Sequence, residues 1–284
     1  ITNNPPVADA GDDYTIPQGT AFKLVGSATD SDEEDVLTYT WEQVDSGTTT
    51  SSNFGPAKTS GAVWRSRPPS TNPTRYMPAR SRVLSGELTE TNPQETEDNT
   101  SWETVSTVGR ALNFALTVRD RSETNGVGQF PQSDFDFMTV TVDGDSGPFA
   151  VTSQTTNETW NVGESQTITW DVAGTDTGSV NTSSVNIYLS TDGGLTFPFL
   201  AASNVANDGS HTFSVPSVDG DTDQLRVMVE GNDNIFYAIN STNFTLQESE
   251  FAMTVEEPSV TVCSPNDVIY NFTYNTFLGF TGTT

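Results

Sequence analysis

Leu37 to Gln43, "LTYTWEQ", sets Leu37, Tyr39 and Trp41 on one side of an extended chain and Thr38, Thr40 and Glu42 on the other. A period of two, apolar against polar, is the pattern of a strand buried on one face in an antiparallel sheet. The same short runs recur in "RALNFALTV" (Arg110–Val118), "QTITWDV" (Gln166–Val172), "SVNIYLS" (Ser184–Ser190) and "QLRVMVE" (Gln224–Glu230). Gly, Asn, Asp and Pro bound them, and helical periodicity is almost absent. This is the pattern of an all-β chain built as tandem Ig-like or fibronectin-like sandwiches.

Two polar breaks divide the series. "VDGDSGPF" (Val142–Phe149) closes a first sandwich over residues 1–145, and "LQESEF" (Leu246–Phe251) closes a second over 146–248. Residues 249–284 read as the opening strands of a third β domain, too short to bury a core alone. A long Ser/Thr/Pro-rich insertion, 46–110, interrupts the first sandwich. Within it, "WRSRPPSTNPTRYMPARSR" holds five of the nine arginines, and the acidic "GELTETNPQETEDNTSWE" follows. Two readings stand for this stretch. Trp64, Arg65, Arg67, Arg75 and Tyr76 can face outward as stacking and guanidinium anchors for a protein or glycan partner. Alternatively, the stretch wraps its own sandwich and neutralises local carboxylates, the reading the charge pattern favours.

With 38 acids against 11 bases, the formal charge is −27. Such a surface repels phosphate backbones and anionic membranes, which argues against nucleic-acid binding. No run approaches the roughly 20 apolar residues of a membrane helix. The chain opens on Ile1, and the expectation is an internal piece of something longer. Cys263 is the single cysteine; a buried small apolar side chain is preferred over a thiol partnered beyond Thr284.

Catalytic constellations are lacking. His211 is the one histidine, so a zinc hydrolase site or a Ser-His-Asp arrangement has too few parts. No Gly-rich phosphate loop links a strand to a helix, and the fragment is expected to be non-catalytic. "STDGGLTF" (Ser190–Phe197) matches an Asp-box hairpin, in which the Asp accepts hydrogen bonds from backbone donors of the turn. The best use of the acids is calcium, a hard cation taking six to eight oxygens. "DSDEED" (Asp30–Asp35) precedes the strand at Leu37, Asp120 closes another strand, and Asn3 and Asn4 lie where the first strand enters. In an Ig-like sandwich these three points converge at one end. The alternative is a solvated turn without an ion.

"NNPPVADAGDDYTIPQGTAFKLVGSATDSDEEDVLTYTWEQVDSG" resembles the opening of a PKD-like Ig-fold domain. "WRSRPPSTNPTRYMP", "WETVSTVGRALNFALTVRD" and the second sandwich from "FAVTSQTTNETWNVGESQTITWDV" onward are similar to the region after the catalytic domain in secreted, reprolysin-like zinc metallopeptidases of Bacteroidetes-type bacteria. The likeness covers roughly residues 1–248. It implies a calcium position at Asn3 or Asn4, Asp30, Asp32 and Asp120, with no zinc in this fragment. It also implies export, by a type IX-type route, to the medium or the cell surface, with adjacent domains of the parent chain as partners. The competing expectation is a repeat segment of an adhesin or surface filament with no enzyme attached.

Overall fold

The computed structural model describes residues 3–33, 35–120, 130–218 and 220–248, and two further strands at 251–255 and 272–276. The first unit contains β1 (Val7–Asp9), β2 (Tyr14–Pro17), β3 (Ala21–Val25), β4 (Ser27–Thr29), β5 (Thr38–Gln43), β6 (Thr74–Met77), a five-residue helix α1 (Arg80–Leu84), β7 (Arg110–Arg119) and β8 (Ser133–Asp143). The second contains β9 (Ala150–Val151), β10 (Thr159–Asn161), β11 (Ser165–Asp171), β12 (Ser184–Ser190), β13 (Phe199–Ala206), β14 (Ser210–Ser214), β15 (Thr222–Gly231), β16 (Phe236–Ile239) and β17 (Phe244–Gln247). The architecture is all-β.

Alternation along the strands decides what is inside. In β7, Leu112, Phe114, Leu116 and Val118 are fully buried, and Trp41 of β5 packs among them. β5, β7 and β8 pair antiparallel, and β2 closes the sheet by running parallel to β8. The second unit repeats that closure, its early strand β10 running parallel to its last, β17. There, β11 lies between β14 and β9 and faces the larger sheet, with Ile168 and Trp170 directed inward.

The two units are not beads on a string. β3 of the first pairs antiparallel with β16 of the second, Phe22 opposite Phe236 and Ala21 opposite Tyr237. One eight-stranded sheet therefore runs from β6 through β3, β16, β15 and β17 to β10, with β12 and β13 branching from β15. Side chains reinforce the seam. Phe149 meets Phe236 edge-on at 5.0 Å, Lys23 Nζ lies 2.8 Å from Glu230, and Asn234 Nδ2 donates to Thr15 O. Ser179 Oγ donates to Asp143 Oδ2 at 2.6 Å, and that bond leads the causes holding the Asp143 carboxyl below its ordinary range. Gly147 sits in the connection at φ +97°, and a Cβ there would stand 2.3 Å from Gln18 O. Only glycine admits that approach.

The insertion is structured rather than a loose loop. Phe54, Val63, Trp64, Trp102 and Val105 enter the core, and β6 and α1 form within it. Arginines substitute for regular secondary structure by feeding backbone carbonyls. Arg82 donates to Glu87, Thr89, Thr100 and Glu103, and Arg110 to Lys58 and Gly61. The stretch expected to open a third domain is described only as an antiparallel strand pair, β18 (Phe251–Val255) with β19 (Phe272–Thr276). Cys263 lies outside the described residues.

Candidate metal centre

At one end of the first sandwich four chain segments meet. β4 stops at Thr29 and is followed directly by Asp30; Asp120 follows the last residue of β7; Asn3 precedes β1; and Asp35 lies on the return toward β5. Carboxylate oxygens of Asp30, Asp35 and Asp120 fall within 4.8 Å of one another. Asp120 is fully buried. It accepts from Asn3 Nδ2 at 2.5 Å and from Gln132 N at 2.8 Å, so its position is held from two sides.

Three carboxylates this close repel one another, and burial weakens the screening by water. Two oxygens at the site are buried without a hydrogen-bond donor, Asn3 Oδ1 and Asp30 Oδ2. Unpaired buried acceptors cost stability unless something positive meets them. An oxygen-only set from carboxylates and an amide is the chemistry of calcium rather than of zinc or copper. The residues present fit that ion.

The set differs from the one the spacing suggested. Asp30 and Asp120 do converge, and Asn3 lies against Asp120. Asp32 does not join them: its carboxylate receives Asn4 N at 2.7 Å, while its own amide donates to Asp30 Oδ1 at 2.9 Å. Asn4 and Asp32 thus clasp the entering chain to the acidic turn, and Asp35 supplies the third carboxylate. Five acids in six positions offered no way to choose among them, since the choice depends on how the turn reverses.

The residues singled out as partner anchors are also redistributed. Trp64 is 2% exposed, edge-on to Phe22, and so corrects the expectation that its ring faces a partner. Arg75 is likewise interior: it donates to Trp41 O, Arg65 O and Glu103, whose carboxylate is fully buried. Burial pulls the Arg75 pKa below the ordinary guanidinium value, and Glu103 opposes that pull. Arg65 stacks over Trp102 at 3.5 Å and pairs with Glu95. Arg67 faces Asp98 at 3.9 Å. Tyr76 is half-buried between Tyr237 and the Arg80 guanidinium.

Two smaller motifs have plain structural work. His211 occupies β14 opposite Ile168 and belongs to no group of metal-ligating side chains among the described residues. In the Asp-box hairpin, Asp192 accepts from Thr196 N and Thr196 Oγ1 and from Ser190 Oγ.

The profile of the Kre9/KNH-like N-terminal Ig-like domain family matches residues 153–246, which span β10 through most of β17. No curated protein matches the chain. Among solved structures, the tandem Ig repeats of Dlar are similar at 13% identity and a TM-score of 0.37, covering 86% of this chain and 98% of that one. The fibronectin(III)-like modules of Clostridium thermocellum CbhA are similar at 11% identity and a TM-score of 0.23, covering 86% and 93%. At these scores the likenesses carry no functional weight; the Ig-like reading rests on the sheets and on the family profile.

Proposed function

We propose that the chain is a non-catalytic extracellular segment of a larger exported protein, whose role is to hold neighbouring domains at a fixed distance and orientation. The observation that carries this is the sheet shared by both sandwiches. Relative domain motion is the default when a linker alone joins two units; here main-chain hydrogen bonds and a continuous core cross the boundary. Calcium at Asp30, Asp35 and Asp120, with Asn3, would stiffen one end of the first sandwich by tying the entering chain to the turn before β5 and the end of β7.

The parent favoured by the resemblance is a secreted zinc metallopeptidase; an adhesin built of Ig-like repeats is the other reading. Peptide mass spectrometry of the intact polypeptide from its source separates them. Peptides upstream of Ile1 that include a His-Glu-x-x-His segment are the expected result. Upstream peptides showing only further sandwich repeats would overturn the protease reading and leave the spacer role standing. Small-angle scattering tests the spacer role itself: one rigid particle is expected, and a distribution of inter-unit angles would overturn it.

A further inference from the structure

A second feature lies beside the seam, its wall reaching Lys23 of β3 and Glu230 of β15. A cavity of about 380 Å³ is lined by Tyr39, Arg67, Asn72, Tyr76 and Arg80 among others. A neighbouring cavity of about 450 Å³ shares Asn72, Tyr76 and Arg80 and continues past Tyr188 and Phe197 of the second unit. The two share those three residues, and the trough they make together is lined from the insertion to the Asp-box hairpin. Each part falls within the size range of ligand sites, about 300–1,000 Å³.

The charge of this trough is opposite to that of the molecule. Its two parts present Lys23, Arg67, Arg75 and Arg80 against only Asp98 and Glu230. Glu230 is already matched by Lys23 at 2.8 Å, Arg75 by the buried Glu103, and Arg67 more loosely by Asp98 at 3.9 Å, in a pair exposed enough to open to a ligand. Arg80 has no carboxylate within ion-pair distance among the described residues, its Nη1 donates only to Leu195 O, and its Nε has no hydrogen-bond partner. On a chain carrying −27, a guanidinium without a counter-ion is conspicuous. The acidic surface elsewhere repels an anionic ligand, so the basic lining is where one could be held at close range.

We propose that the trough binds an acidic saccharide, a carboxylate-bearing sugar polymer, with Arg80 and Arg67 taking the carboxylates. A guanidinium fork matches a carboxylate in two parallel hydrogen bonds. The remaining lining suits a sugar better than an acidic peptide. Ser70, Asn72, Thr74 and Thr196 offer hydroxyl and amide groups, and Tyr39, Tyr188 and Phe197 add half-buried rings. A pyranose has the matching character, an apolar face edged by hydroxyls. Two adjoining cavities that share a wall suit a polymer rather than one small anion. This proposal goes beyond the spacer role and does not require it.

Isothermal titration of the whole chain with polygalacturonate tests the proposal, in chelator so that calcium cannot bridge the acids of protein and polymer. Binding is expected at low ionic strength and should weaken as salt screens the pair. Arg67→Ser, at a side chain 34% exposed, removes one cation without touching the core. Arg80→Gln removes the other, and the two together should weaken binding at least about tenfold. Unchanged thermal stability of the Arg67→Ser chain keeps its result readable even if Arg80→Gln loosens the seam. No binding, binding untouched by Arg67→Ser, equal binding of neutral dextran, or tighter binding of poly-glutamate would each overturn the proposal; the last would make this a site for acidic peptides.

Discussion

Gly26, between β3 and β4, shows how a single residue sets the closeness of the first sandwich. A Cβ placed there would stand 2.4 Å from Leu116 Cδ2, 3.0 Å from Trp41 and 3.1 Å from Asp9 O. Leu116 is fully buried, so it has little room to move aside. Gly26→Ala should therefore cost about 1–3 kcal/mol, the range for overpacking a dense core, read from urea unfolding at unchanged m-value. A loss within experimental error of zero would mean that the core yields there. Asp192 shows the polar counterpart. Burial would raise its carboxyl pKa, but hydrogen bonds from Ser190, Thr196 and Leu195 outweigh it and hold the value at about 2 against an ordinary 3.8. A depressed carboxyl stabilises the fold above its unfolded pKa, and that contribution fades as pH falls from near 3.8 through about 2. Asp192→Asn should thus lower stability by about 1 kcal/mol at neutral pH, and the gap to the parent should close as pH falls through that window. A gap independent of pH would assign the loss to shape rather than charge.

At the scale of elements, the turn between β4 and β5 is where the proposed calcium would act, since Asp30, Asp35 and Asp120 converge there. Its acids are gathered by the strand ends, and the strands cannot move apart to relieve the repulsion. Calcium at about 100 times its dissociation constant should add about 2.7 kcal/mol, or about 5–10 °C in Tm for a unit of this size. Asp30→Asn with Asp35→Asn should remove that calcium-dependent shift. A double variant that still gains stability from calcium would place the ion elsewhere. Asp32→Asn makes the useful contrast, since Asp32 holds Asn4 and stands outside the converging three. It should keep most of the calcium shift.

For the whole molecule, the shared sheet leads to the expectation that the two sandwiches unfold as one cooperative object. Phe236 lies at the middle of the seam, fully buried against Phe149 and opposite Phe22 in register. Phe236→Ala should cost about 3–5 kcal/mol. Because the core on either side is continuous, the loss should appear in both units at once. Scanning calorimetry is expected to show one transition whose calorimetric and van't Hoff enthalpies agree, displaced downward in the variant. Two resolved transitions, with only one moved, would show the units melting independently and would sink the rigid-spacer reading with them.

Local pattern was enough for the strand class. "LTYTWEQ" and "RALNFALTV" alternate because one face meets a core and the other meets water, and that constraint is written residue by residue. The Asp-box and the involvement of Asp30 and Asp120 at one sandwich end follow from the same short-range logic of turns and strand ends. Tertiary structure alone decided the rest. Asp35 replaced Asp32 because the turn's path, not its spacing, aims each carboxylate. Trp64 and Arg75 went inside because the insertion supplies Trp102, Val105 and Glu103 from about thirty to forty residues further along to receive them, a pairing of distant segments with no local periodicity. The joining of β3 to β16 was equally invisible. Either strand reads as an ordinary edge, and only the fold places Phe22 opposite Phe236, more than two hundred positions away. Side-chain alternation fixes which face of a strand is buried, while the partner that covers its edge is chosen by the whole chain.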